Sequence, residues 1–431
     1  MKENLMSKTS VELKQGIKAH FIKTDLYKTD LTCIIVTIPL KRETVTKNAL
    51  VPFMIRRGTE KLPNQYLISK ELENMYGASF NCGVDKMGDN VVLKFCIESI
   101  SNEYALNNEN ILKMNLENLL DIVFNPVREN GKLKASFLEV EKENLKDVIE
   151  SKIDDKDSYA LENCISTMYG ENGFGLYKYG YVEDVDSITI DGITDYYNWL
   201  IQNSKIDIFI SGNIDEKNIE EFLRNNENIE KLNPREENYI LDSTDSKQNV
   251  DKIREVKEES DVTQGKLVIG LDINTKMDNL RAVGNVYNSI LGNGATSMLF
   301  QNVREKASLA YSAKSVFYKQ KKNIFIRCGI QIENYEKAVE LIKVQLENIK
   351  KGEFSEEDIS NAKTFLISGI RNVEEEQDTE IVYYIGQEIS KTNLSLQEYM
   401  DNINKVTKEQ IVEFANSIDI DTIYFLTGKE V

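Results

Sequence analysis

Two stretches of this chain, about half its length apart, follow the same pattern. Residues 31–40 (LTCIIVTIPL) are β-branched and apolar, as a strand buried on one or both faces requires. Residues 266–273 (KLVIGLDI) open the second half in the same manner. The first half closes with a helix-like 196–204, a strand-like 205–211 (KIDIFIS) and the turn Gly212-Asn213. The chain closes with a helix-like 411–417, a strand-like 419–426 (DIDTIYFL) and the turn Thr427-Gly428. A strand, several helices and a closing strand recurring at this spacing predict duplicated α+β units.

The 431 residues are too many for one ordinary core. Residues 226–260, rich in Glu, Lys, Asn, Asp and Ser, predict a surface linker with one short strand at 239–242 (YILD). The expected division is therefore an N-terminal lobe 1–225, the linker 226–260 and a C-terminal lobe 261–431. Helical periodicity fills both lobes. Residues 338–350 place Val339, Ile342, Leu346 and Ile349 on one face. Ser355 followed by three acids marks the start of a helix over 359–373, and 111–124 and 132–153 are the first-lobe counterparts.

Lys and Arg total 53 against 71 Asp and Glu, a formal charge of −18, which disfavours phosphate backbones and anionic lipid as partners. The five cysteines, Cys33, Cys82, Cys96, Cys164 and Cys328, form no CxxC pair, so reduced thiols in the cytoplasm are expected. The polar start (MKENLMSKTS) and the short apolar runs suggest neither a secretory signal nor a membrane-spanning helix. His20 is the sole histidine, which rules out any mechanism needing two imidazoles from this chain, HExxH and HxxEH zinc sites included. Its default role is that of an ordinary residue near the end of an early strand.

Residues 291–312 read LGNGATSMLFQNVREKASLAYS. Gly292 and Gly294 permit a tight turn, Thr296 or Ser297 can cap, and 298–306 suits a helix that ends near Arg304, with Tyr311 on an extended segment beyond it. The segment resembles the second-half signature of the insulinase–pitrilysin–mitochondrial-processing-peptidase family, a Gly-rich turn followed by SRLFQxVREKxGLAYS. Met298 stands for that family's first arginine and Ser308 for its glycine. The resemblance implies that Arg304 and Tyr311 contact the substrate or transition state, since guanidinium and phenol both donate hydrogen bonds to a peptide carbonyl or oxyanion. Read from residue types alone, the same two would be a helix-end arginine paired with an acid and a tyrosine buried in a sheet.

The family's catalytic half reads HFLEHMLFKGT, with two zinc-binding histidines and a water-activating glutamate. Here 49–59 reads ALVPFMIRRGT, and anchoring on Gly58-Thr59 puts Ala49 and Phe53 where the histidines belong and Pro52 where the glutamate belongs. Pro52 would also disturb that helix. Residues 137–155 resemble the helix that carries the third ligand and place Val148 there, with Glu143 or Glu150 in other registers. A lone carboxylate could not hold the metal, so these acids suit a solvated helix face with Glu–Lys pairs.

The resemblance runs through nearly the whole chain. It implies a two-lobe clamshell of α/β sandwiches around an extended peptide, and a pseudo-peptidase that holds no cofactor and no metal of its own. Zinc would belong to an HxxEH-bearing paralogous partner in a heterodimer, with a homodimer as the other assembly. Such a chain would bind peptide substrate and complete the partner's active site in proteolysis. The alternative is a peptide-binding or scaffold protein of the same fold, of the bacterial type linked to elongation factor P modification. A peptidase using other chemistry is the third reading. The aromatic, glycine-rich 168–181 (MYGENGFGLYKYGY) is expected to pack in the interior or to wall the peptide chamber.

Overall fold

The structure, a computed structural model, describes residues 8–236, 252–373 and 375–428. It contains two compact α+β units. The first is built from residues 8–150, 176–236 and 375–389, the second from 151–175, 252–373 and 390–428.

The first unit has a six-stranded sheet of β1 (Lys8–Lys14), β2 (Ile17–Lys23), β3 (Thr29–Pro39), β4 (Ser79–Met87), β5 (Asn90–Ile100) and β6 (Lys205–Gly212). Their order is β1-β2-β6-β3-β5-β4, antiparallel except for β2 beside β6. The second unit has β7 (Arg254–Ser260), β8 (Gly265–Ile273), β9 (Ala310–Tyr318), β10 (Asn323–Ile330) and β11 (Ile418–Gly428), in the order β9-β10-β8-β11-β7. Only β11 and β7 run parallel. Position by position this repeats β4-β5-β3-β6-β2, so the half-chain recurrence is a true duplication.

Helices α1 (Val45–Ile55), α2 (Ile111–Phe124) and α3 (Ala135–Glu150) belong to the first unit and α4 (Lys156–Tyr169) to the second. In the second half, α5 (Leu280–Gly292), α6 (Tyr335–Lys350) and α7 (Glu356–Val373) belong to the second unit, and α8 (Gln377–Ile389) to the first. The units therefore do not divide at a single linker. The helix following each long helix, α4 after α3 and α8 after α7, packs in the other unit. On β3, Ile34, Val36 and Ile38 face a core with Leu116 and Leu119 of α2, while Leu31, Cys33 and Ile35 face Ile381, Tyr384 and Ile385 of α8. Burial on both faces explains why β3 is apolar without alternation. Each large apolar side chain that α8 buries contributes roughly 1.5–3 kcal/mol as an upper figure. In the second unit α4 lays Cys164, Ile165 and Met168 against Val268, Phe325 and Tyr424. Tyr169 and Phe174 are buried there too, so this part of the aromatic segment is interior packing.

Three expectations need correction. Cys33 and Cys96 are joined in a disulfide, because the β3–β5 register sets them directly opposite at a Cα–Cα distance of 4.1 Å. Cys82, Cys164 and Cys328 are free thiols, and the cysteines as a set no longer argue for a cytoplasmic setting. The expected linker is not linker throughout: Glu227–Glu230 is a helical turn and Arg254–Ser260 is strand β7. Its exposed side chains, Glu255, Lys257 and Glu259, alternate with half-buried ones because it is an edge strand wetted on one face. The YILD strand lies outside the described residues. Finally, α1 runs through Pro52 and ends three residues later, its nearly complete burial outweighing the lost hydrogen bond. Among the described residues no helix is long and apolar enough to cross a membrane.

Candidate functional site

In the second unit, α5 ends at Gly292, a position that takes glycine because a Cβ there would lie 2.7 Å from the Ser315 amide nitrogen of β9. Gly294 turns the chain at φ 119°. Neither Thr296 nor Ser297 caps the helix beyond this turn, and the Ser297 hydroxyl instead donates to Gly294 O at 2.7 Å. That helix, Leu299–Lys306, is a wide π-type helix that buries Leu299 and Val303, with the Ala307 amide donating to Asn302 O. Ser308 then adopts φ 52°, the left-handed conformation that favours glycine.

Tyr311 owes its exposure to a β-bulge. Ala310 pairs with Ile330 and Ser312 with Gly329, so Tyr311 is the extra residue. The residue is 61 % exposed, and its hydroxyl accepts from Gln331 Nε2 at 3.3 Å. Arg304 stacks over Phe300 at 4.5 Å and lies 3.5 Å from Glu305. Arg304 and Tyr311 share a concave surface of about 320 Å³ with Ser308 and Gln331. Tyr311 and Gln331 also line an adjoining concavity of about 550 Å³ with Gln264 and Glu333. The two residues named from the motif thus line one concave surface, and both are partly exposed.

In the first unit the positions matching the metal ligands are filled otherwise. Ala49 and Pro52 are buried in α1, Phe53 is half-buried, and Val148 is half-buried on α3. Glu143 and Glu150 are exposed, and Glu143 pairs with Lys146 at 3.0 Å, as a solvated face would. The Arg56 guanidinium lies over the Phe53 ring at 4.7 Å. Arg56 and Arg57 both turn to Glu141 of α3, a fully buried carboxylate. Zinc does not fit these residues: Ala49, Pro52 and Phe53 offer no side-chain ligand atom, and two guanidiniums repel a divalent cation. Sequence reasoning missed Glu141 as a functional group; the Arg56-Arg57 doublet was the available signal.

His20 is more than an ordinary strand residue. Buried on β2, its Nε2 lies 2.9 Å from Asp207 Oδ1 and its Nδ1 2.8 Å from the Ser10 hydroxyl. His20, Asp207 and Glu388 of α8 form the one group of three metal-capable side chains among the described residues, their atoms within 4.8 Å of one another. Lysines already supply cations there: Lys205 bonds Asp207, and Lys8 bonds Glu388 at 2.6 Å. Burial would raise the Asp207 carboxyl, but Lys205 and His20 outweigh it and hold it well below the usual carboxylate range. The network fastens α8 onto the sheet.

The strand order, the duplicated units and the arginine–tyrosine motif define a peptidase-like fold whose metal-ligating set is missing. Residues 187–366 match the family model described as the peptidase M16 inactive domain. The chain is 32 % identical over 424 residues to the Bacillus subtilis (strain 168) protein named probable inactive metalloprotease YmfF, covering 96 % of each. Among solved structures, a conserved protein from Enterococcus faecalis V583 superposes with a TM-score of 0.88 at 27 % identity, covering 98 % of this chain and 99 % of that one. A peptidase M16 inactive domain from Pseudomonas fluorescens gives 0.78 at 17 % identity, over 98 % and 99 %. The chain belongs to the M16, or insulinase-type, peptidase family, with Ala49, Pro52 and Phe53 at the positions that match the metal-site motif.

Proposed function

We propose that this chain is the non-catalytic subunit of a zinc peptidase, binding peptide substrate and supplying Arg304 and Tyr311 to the active site of an HxxEH-bearing paralogue. The observation that carries the proposal is the bulge that holds Tyr311 out beside Arg304 on one concave surface. Both groups donate hydrogen bonds and suit a peptide carbonyl or the oxyanion it becomes. Metal and water activation would come from the partner, because Ala49, Pro52 and Phe53 supply neither.

The test is reconstitution. The isolated chain should show no chelator-sensitive peptide cleavage. Mixed with an HxxEH paralogue encoded beside it, the chain should co-purify and raise the paralogue's turnover at least tenfold. Assembly without any change in turnover would favour the scaffold reading, and zinc-dependent cleavage by the chain alone would end the proposal.

A further inference from the structure

Arg56 and Arg57 end α1 side by side and share one carboxylate. Glu141 accepts from Arg57 Nε at one oxygen; the other lies 2.9 Å from Asn144 Nδ2 and 3.5 Å from Arg56 Nη2. Guanidinium stays charged throughout the range in which proteins fold, so the group carries two positive charges against one negative. Cys82, on neighbouring β4, supplies no counter-charge. Burial pushes its thiol up to about 11, with Arg56 drawing it down and Glu141 raising it, so the thiol stays protonated at neutral pH.

The two arginines are not equivalent. Arg57 makes the close bond that neutralises Glu141. Arg56 makes only the longer contact, and its Nε has no hydrogen-bond partner among the described residues. Its side chain is 33 % exposed, and the Phe53 face beneath it fixes the plane of the guanidinium. Each guanidinium carries about five N–H donors, more than a carboxylate already shared with Arg57 and Asn144 can accept. A second arginine adds little to Glu141 and leaves a pre-oriented cation at the surface.

We propose that Arg56 is the centre of a carboxylate-binding site that takes a peptide's C-terminal carboxylate or an acidic side chain. A planar fork of donors matches a carboxylate in two-point contact. The peptide nature of the ligand follows from β4, an edge strand paired only with β5 among the described residues, along which an extended chain can lie. This site lies in the first unit and does not rest on Arg304 or Tyr311.

Isothermal titration with three versions of an alanine-rich hexapeptide tests it: the free acid, the C-terminal amide, and the amide with a terminal Glu side chain. The wild-type chain should bind at least one carboxylate-bearing peptide tenfold or more tightly than the neutral amide. Whichever version gains identifies the source of the carboxylate. Arg56→Gln, which leaves the Arg57–Glu141 bond in place, should abolish the difference, and Arg56→Lys should retain part of it. Should Arg56→Gln fail to fold, Arg56→Lys and the wild-type comparison decide. Equal binding of all three peptides by wild type, discrimination undiminished in Arg56→Lys, or discrimination that survives Arg56→Gln would overturn the proposal.

Discussion

Replacing Glu141 by Gln tests the idea that the former metal region is now held by an ion-pair cluster. Glu141 is fully buried, bonded to Arg57 Nε and Asn144, with Arg56 at 3.5 Å. Removing its charge leaves Arg57, only 25 % exposed, without a counter-ion and turns a carboxamide N–H₂ toward guanidinium donors. Breaking one side of a buried pair costs about 3–5 kcal/mol. For a domain of this size that corresponds to a fall in Tm of roughly 6–20 °C. Differential scanning calorimetry of wild type and Glu141→Gln measures it directly. The triple variant Arg56→Met, Arg57→Met, Glu141→Leu should recover most of the loss, because it removes the charges together. A shift of under 2 °C for Glu141→Gln would refute the reasoning, as would a triple variant less stable than the single one.

Other expectations rest on particular residues. Ser308→Gly should stabilise the second unit by roughly 1 kcal/mol, since Ser308 holds φ 52° and glycine adopts that conformation without strain; a higher urea midpoint would show it. The depressed Asp207 and Glu388 carboxyls contribute stability that is present above their unfolded pKa values near 4 and is lost as pH falls through the lower folded values. The first unit's urea midpoint should therefore drop steeply below about pH 4, and Asp207→Asn should flatten that drop. Thiol titration of the unfolded, unreduced chain should find three reactive cysteines, Cys82, Cys164 and Cys328, and reduction should expose two more, Cys33 and Cys96.

The duplication was readable because β3 and β8 are continuous apolar runs and β6 and β11 close each half with a turn residue. The reciprocal placement of α4 and α8 was not: an amphipathic helix reports that it buries a face, not which sheet it buries it against. Strand β7 was hidden because an edge strand wetted on one face reads as a charged linker. The Cys33–Cys96 bond depends on a register between strands 63 residues apart, which cysteine spacing alone does not reveal. Arg304 and Tyr311 were found through their motif, yet the bulge that exposes Tyr311 is a property of pairing with β10. Nothing within α3 marks Glu141 as a buried carboxylate, because its partners, Arg56 and Arg57, come from α1 and the residues that follow it.

The central claim is that this chain lends an arginine and a tyrosine to a metal site it does not itself possess. The most direct measurement is the turnover of an extended peptide by the HxxEH paralogue reconstituted with wild-type chain, Arg304→Ala or Tyr311→Phe, with assembly monitored by light scattering. Both variants should assemble normally while kcat falls by about tenfold or more, of the order seen when a transition-state hydrogen-bond donor is lost. Unchanged turnover in both fully assembled variants would contradict the claim.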